Sequence, residues 1–362
     1  MNSSAGKHED QAARLLGERI AAGRYPGIQY VMVSAKEKIF EYYGGLADVG
    51  NNVPMSRSTT MMAYSMTKTF TACAVLQLVE QGKLSLDESV LPHVPSFPYG
   101  PDVTIRHLLS QTSGLPNPIP LRWAHPAALD TSFDESAALQ AVMSAHPGLA
   151  FAPGKKYAYS NLSYWLLGRI IEQASGETYR QYMERRVIAP LGLTPMDAGF
   201  TIADPSRHAK GYLSRRSVMN LMKGMLLDRD LIGGNEGRWA HIRDHYLNGP
   251  AFGGLIGTAR GISVFIQDQL GERSVLLNPD ARAMFFSQQE GAGRKPVPMT
   301  LGWHIGDLEG TRFFYKEGGG GGYHCEMRIY PEHGLGSVIM VNETGSSCTR
   351  AQAAADRFFL VA

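Results

Sequence analysis

The chain has 362 residues, 44% of them hydrophobic, with 35 basic and 33 acidic residues for a net charge of +2. That is enough apolar material for one large core or about two domains. So balanced a charge, with no long Lys/Arg run, gives no electrostatic footing for nucleic acid or an anionic membrane surface as partner.

The opening, MNSSAGKHEDQAARLLGERI, is polar. It lacks the apolar stretch of a signal peptide, and nowhere do about 18 apolar residues run together. A cytoplasmic protein with no membrane partner is therefore expected. Residues 9–22 carry Leu15, Leu16 and Ile20 at helical spacing and stop at Gly23. Two β-rich runs follow, GIQYVMVS (27–34) and KIFEYYGG (38–45). A near-continuous apolar helix is predicted from Ser65 to Val79, stopped by Gly82, and it contains Cys73. Asp87 is expected to cap a helix. TIRHLLSQTSGLP (104–116) reads as a short helix ending in a turn, with His107 structural. Residues 117–135 hold three prolines, directly after Pro116, and read as a long surface loop. Trp123 within it is either the wall of an acyl pocket or a packing anchor. SNLSYWLLGRIIEQASG (160–176) reads as a helix closed by Gly176. Near the C-terminus, TRFFYK (311–316), YHCEMRIYP (323–331) and GLGSVIMVN (334–342) look like antiparallel strands with glycine-rich turns. A last helix runs from about Cys348 to Phe359. One sheet built from both termini, with the terminal helices over one face, is the expected architecture. The three cysteines, Cys73, Cys325 and Cys348, are far apart and read as free thiols.

Three short motifs carry chemistry. The first is Ser65-Met66-Thr67-Lys68. As a pattern S-x-x-K arises about once by chance in a chain this long, and Ser4-Ala5-Gly6-Lys7 in the polar N-terminus is such a decoy. Context separates the two. Ser65 opens an apolar helix, where a serine is either an N-cap or a nucleophile at the positive end of the helix dipole. Lys68 lies one turn on, on the same face. A lysine in a first turn opposes the dipole, which favours function and a lowered pKa. A neutral lysine at pH 7 requires roughly 4–5 kcal/mol of environment. The second motif is Tyr159-Ser160-Asn161, just before a helix. Asn161 is either a cap or a substrate ligand, and Tyr246-Leu247-Asn248 repeats the pattern. The third is Lys316-Glu317-Gly318, followed by Gly319 to Gly322. Five consecutive glycines after a strand are either a flexible turn or a backbone that must approach a ligand closely. In the second case the N–H groups of Ser65 and Gly319 would form an oxyanion hole. His324 follows the run, with a strand-facing structural role preferred over a site role.

In that order and spacing, the three motifs closely resemble those of the serine β-lactamase and penicillin-binding-protein superfamily. The Tyr-x-Asn form is similar to the class C β-lactamase branch and its relatives, the family VIII carboxylesterases and D-aminopeptidases. HLLSQTSGLP, FAPGKKYAYSN, APLGLTPMD, AFGGLIGTA and GLGSVIMVN resemble landmarks of the family over nearly the whole chain. The resemblance implies an α/β (α+β) fold: an antiparallel sheet from both termini flanked by helices, with an inserted mainly helical domain. A single unit over 9–362 is expected, with an α/β part at approximately 9–64 plus 240–362 and a helical part at approximately 65–239. The active site would lie between them.

The implied chemistry is acyl transfer. Ser65 is the expected nucleophile, with Lys68 and Tyr159 handling its proton and the choice of base between them left open. Asn161, Lys316 and Gly318 are expected to meet a small-molecule ester or amide. No metal or organic cofactor is expected. Ester hydrolysis is preferred. The alternatives are an acyltransferase using the same acyl-enzyme, a β-lactamase or D-amino peptidase, and, from a different class, a non-catalytic sensor that can still be acylated. One departure matters. Where relatives have Lys-Thr-Gly or His-x-Gly, Glu317 replaces the threonine. It is expected to oppose an anionic substrate unless strand alternation turns it away from the groove. No G-x-S-x-G elbow, H-E-x-x-H pair or dinucleotide-binding glycine pattern occurs.

Overall fold

The strand Gly27–Ser34 is apolar on both faces, and this fixes the layer order. Ile28, Tyr30 and Met32 point into one core with Leu16, Ala351 and Ala355. Val31 and Val33 point into another with Ile262, Phe265 and Ile266. The strand therefore lies inside a three-layer sandwich. The terminal helices Asn2–Ala21 and Thr349–Asp356 cover one face, and the helix Ala259–Leu270 covers the other. The computed structural model describes residues 2–94, 96–118, 123–217, 220, 224 and 228–360.

The main sheet has seven strands. Their order is His304–Leu308, Thr311–Gly320, Tyr323–Tyr330, Leu335–Val341, Gly27–Ser34, Lys38–Asp48 and Val53–Pro54. All neighbours are antiparallel, and Ile28 opposite Val341 joins the two ends of the chain. The C-terminal helix is pinned to this sheet through Asp356. Its buried carboxylate accepts hydrogen bonds from Tyr30 (2.7 Å) and Tyr330 (2.6 Å).

The helix Thr67–Glu80 connects the sheet layer to the helical region. Every residue from Thr67 to Leu78 is buried, the mark of a helix enclosed on all sides. Phe70 stacks on Phe265 at 4.0 Å, and Thr69 donates to the Gly302 carbonyl at 3.0 Å. Burying each such ring contributes about 2–3 kcal/mol. The helix Asn161–Ser175 packs against it. Ser160 caps that helix, and Gly176 ends it at φ 74°.

The expected antiparallel sheet from both termini, flanked by helices and interrupted by a mostly helical region, is present. Several local expectations are corrected. The N-terminal helix starts at Asn2 rather than residue 9, because the polar residues before Ala12 extend its solvent-facing turns. The strand Thr311–Gly320 runs on through three glycines, so the turn is only Gly321–Gly322. Asp87 caps no helix; it makes a two-pronged ion pair with Arg106 (2.6 and 2.8 Å), while Thr104 caps the helix Ile105–Leu109. Of the 117–135 loop, residues 119–122 lie outside the described residues. The remainder is partly ordered: Ala124–Pro126 pairs with His245–Leu247, and Ala127–Ser132 forms a 3₁₀ turn. The edge strand His304–Leu308 was not anticipated; HIGDL has too few apolar positions to reveal its period. Nor was a four-stranded sheet joining Gly211–Ser214, Ile232–Glu236 and Trp239–Ile242 to Glu343–Thr344, whose strands are too short to show alternation.

Candidate active site

Ser65 does not begin the α-helix as the sequence suggested. It sits in the middle of a 3₁₀ turn, Tyr64–Met66, that feeds the helix Thr67–Glu80. Tyr64 adopts φ 41°, a left-handed conformation that strains a non-glycine residue by roughly 1–3 kcal/mol. Its buried hydroxyl is anchored 2.9 Å from His245 Nε2 and donates to the Gly321 carbonyl at 3.0 Å.

The nominated side chains meet. Ser65 Oγ lies 2.7 Å from the Tyr159 hydroxyl and 2.9 Å from Lys68 Nζ. Lys68 Nζ also donates to Asn161 Oδ1 (2.8 Å) and to the Phe252 carbonyl (2.6 Å). Ser160, one residue earlier, takes the capping role, which frees the Asn161 side chain for the lysine. Lys68 is completely buried. Burial first, and the charge of Lys316 second, hold its amine well below the ordinary lysine range. Burial pushes the Tyr159 phenol well above its ordinary value, although its hydrogen bond with Ser65 works the other way. Lys316 is also completely buried, and burial holds it to about 7. Its Nζ has no hydrogen-bond partner among the described residues and lies 5.5 Å from the centre of the Tyr159 ring.

The glycine strand passes directly behind the Ser65 turn. A Cβ at Gly318 would stand 2.3 Å from the Ala63 carbonyl oxygen and 2.9 Å from Ser65 N, and one at Gly320 would stand 2.2 Å from the Tyr64 ring. Close approach, to backbone at Gly318 and to the Tyr64 ring at Gly320, rather than turn flexibility, therefore requires glycine at both positions. Gly319, between them, faces solvent beside Ser65.

A cavity of about 250 Å³ opens at Ser65, walled by Trp123, Leu247, Phe252 and Tyr64 and floored by Asn161 and Gly319. Trp123 is thus both wall and anchor, packing edge-on against Trp165 at 5.4 Å. No Asp or Glu lines the cavity among the described residues.

Glu317 is not in the groove. Strand alternation turns it to the opposite face from Lys316, where it pairs with His324 (2.7 Å). The expected opposition to an anionic substrate is therefore overturned. Tyr246 is likewise outside the site; its hydroxyl accepts the Ile202 amide. His107 completes the capping box at Thr104.

Sequence reasoning missed Tyr64, His245 and the Phe252 carbonyl. It also missed His304, which stacks over Tyr159 (6.4 Å, 22°) and lies 3.1 Å from the Tyr157 hydroxyl. None of these has a motif, and a backbone carbonyl leaves no trace in residue type. No group of three or more His, Cys, Asp or Glu is placed to hold a metal among the described residues. There, too, no helix is long and apolar enough to cross a membrane. The three cysteines are buried and unpaired.

Comparison with known proteins bears on the family and the fold. Protein flp of Staphylococcus aureus (strain N315) is 31% identical over 212 residues, which are 56% of this chain and 41% of flp. The chain thus spans about two fifths of the length of that relative. Penicillin-binding protein 4* of Bacillus subtilis (strain 168) is 25% identical over 316 residues, 84% of this chain and 65% of that protein. The D-amino acid amidase from Ochrobactrum anthropi SV3, solved with D-phenylalanine, shares the fold at a TM-score of 0.81 and 20% identity, over 97% of this chain and 99% of the amidase. The Beta-lactamase family matches residues 12–360. With that match running almost from end to end, the chain belongs to the beta-lactamase family.

Proposed function

We propose that the chain is a serine hydrolase that cleaves small, neutral carboxylic esters through an acyl-enzyme on Ser65, in the class C-like, family VIII carboxylesterase-like branch. The observation that carries this reading is the position of Ser65 Oγ, between Tyr159 and Lys68 at the mouth of a small, apolar-walled cavity.

A neutral lysine amine has two hydrogens. Here the Phe252 carbonyl and Asn161 Oδ1 both lie within accepting distance of Nζ. With both hydrogens engaged, the lone pair is left for the Ser65 proton. Lys68 is therefore the base in this reading, and Tyr159 stays a protonated phenol. Ser65 Oγ attacks the ester carbonyl as its proton passes to Lys68. The N–H groups of Ser65 and Gly319 stabilise the oxyanion. The proton returns through Tyr159 to the leaving alcohol as the C–O bond breaks. Water, deprotonated by the same pair, attacks the acyl carbon, and the proton returns to Ser65 Oγ as its bond to the acyl group breaks and the acid leaves. Asn161 orients the acyl group, while Gly318, packed against the Ser65 turn and outside the cavity lining, acts only by placing Gly319.

The cavity supports a small neutral acyl group, because it is near the lower limit of ligand pockets and holds no carboxylate to receive an ammonium. A β-lactamase is the second reading, favoured by the partnerless Lys316 Nζ, which suits a substrate carboxylate. The test is kcat/KM for p-nitrophenyl butyrate against nitrocefin on the wild type. Ester turnover is expected to exceed lactam turnover. The reverse order would mean that Lys316, not the cavity, sets specificity.

A further inference from the structure

Glycine gives a strand no side-chain packing to hold it, yet the run from Gly318 to Gly322 must keep one backbone conformation within contact distance of Ser65. Two groups outside the cavity hold it. Thr344 Oγ1 accepts the Gly322 amide at 2.8 Å and bonds the Gly320 carbonyl, closing the turn. On the face away from Lys316, the Glu317 carboxylate meets His324 Nε2 at 2.7 Å across the hairpin. His324 stands directly opposite Gly319 in the strand register. A Cβ at Gly319 would touch its ring at 3.2 Å. The other ring nitrogen, Nδ1, lies 3.2 Å from the Cys348 amide nitrogen and 3.4 Å from the Ser346 carbonyl; it accepts from the amide when the ring is neutral and donates to the carbonyl when the ring is charged. The imidazole thus ties the glycine strand to the segment that leads into the C-terminal helix.

We infer that Glu317 and His324 form a positioning clasp over Gly319, which fixes the oxyanion-binding backbone from behind. The inference rests on the reading of Gly319 as an oxyanion donor. It also assigns a role to the residue that stands where relatives have threonine: Glu317 acts on the strand rather than on the substrate.

The clasp is strongest as a charged pair, since a charge-assisted hydrogen bond is roughly twice as strong as a neutral one. The titratable and charged groups around it are Arg328, Glu326 and Cys325 on the neighbouring strand, Glu343 before the Ser346 turn, and Cys348, with burial holding Glu326 and Glu343 up at about 7. Burial pulls His324 down, but the hydrogen bond and charge of Glu317 outweigh it and leave the imidazole above its ordinary value. The His324 hydrogen bond holds Glu317 below the usual carboxylate range. The pair is charged between these two limits. It weakens as pH rises through the His324 value.

The experiment is steady-state hydrolysis of p-nitrophenyl butyrate against pH by the full chain, as wild type, Glu317→Gln, Glu317→Asp and His324→Gln. Histidine NMR titration of the wild type and Glu317→Gln accompanies it. Glu317→Gln and His324→Gln are each expected to lower kcat about tenfold at neutral pH, the scale of a sub-ångström misplacement, with KM unchanged. The Glu317–His324 double variant should be no worse than either single one. The alkaline loss of kcat in the wild type should disappear in His324→Gln, and the His324 titration should move to lower pH in Glu317→Gln. Glu317→Asp, which keeps the charge on a shorter arm, should fall between. Unchanged kcat in Glu317→Gln, a change in KM alone, or an alkaline limb that persists in His324→Gln would overturn the clasp. Should His324→Gln melt early, Glu317→Gln, at a partly exposed position, decides. Activity that survives Ser65→Ala would instead overturn the reading of the site on which the clasp rests.

Discussion

Lys68 is an amine buried without a carboxylate against it among the described residues, and its environment makes the charged form costly. The hydrolase reading requires its free base, so activity should fall in acid as Lys68 takes up a proton. Lys316 adds a second cation nearby that opposes this proton. Replacing Lys316 by Met removes that opposition, raises the Lys68 pKa and should move the acid limb of kcat/KM for a neutral ester to higher pH. Lys316 itself is held to about 7, so the effect belongs to the range below that value. A limb that stays put or moves to lower pH would exclude Lys68 as the group read. Residue type and spacing alone left Ser65 and Asn161 open to a capping role; the order of the three motifs, and its resemblance to the β-lactamase superfamily, nominated Ser65, Lys68, Tyr159 and Asn161. The partner that holds Lys68 from the far side, the Phe252 carbonyl, is 184 positions away and uses only its backbone. The left-handed Tyr64 was equally illegible, since nothing in a tyrosine's chemistry announces φ 41°.

At the scale of elements, the helix that carries Asn161 could be bounded from sequence, because Ser160 and Gly176 are chemically suited to begin and end it. The glycine strand could not. Its composition suggested a turn, whereas the glycines are demanded by the approach of the strand to the Ser65 turn. Gly318→Ala tests this directly. The added methyl would collide with the Ala63 carbonyl, and the strand must retreat. A retreat of about 1 Å is expected to reduce kcat about a hundredfold, and overpacking is expected to cost about 1–3 kcal/mol of stability in denaturant unfolding. A variant with full kcat would show that the strand has no part in the chemistry. The edge strand His304–Leu308 stayed hidden because none of its residues is fully buried and only Ile305 and Leu308 are aliphatic, so no apolar period appears.

For the whole molecule, the sheet built from both termini was legible because GIQYVMVS and GLGSVIMVN are predominantly apolar on both faces, broken only by Gln29, Ser34, Ser337 and Asn342, as suits strands buried on both sides. What sequence could not supply is the junction. Ser65 comes from the turn before a buried helix, Tyr159 and Asn161 from the start of another, and the glycine strand from the far end of the chain. Their convergence on one Oγ atom is a property of the packed layers and of no single segment. The central claim, that this convergence makes Ser65 a nucleophile, is tested most directly by labelling the intact chain with a fluorophosphonate and mapping the adduct by peptide mass spectrometry. The expected result is one adduct, on the peptide containing Ser65, lost in Ser65→Ala. An adduct on another residue, or labelling that persists in that variant, would contradict it.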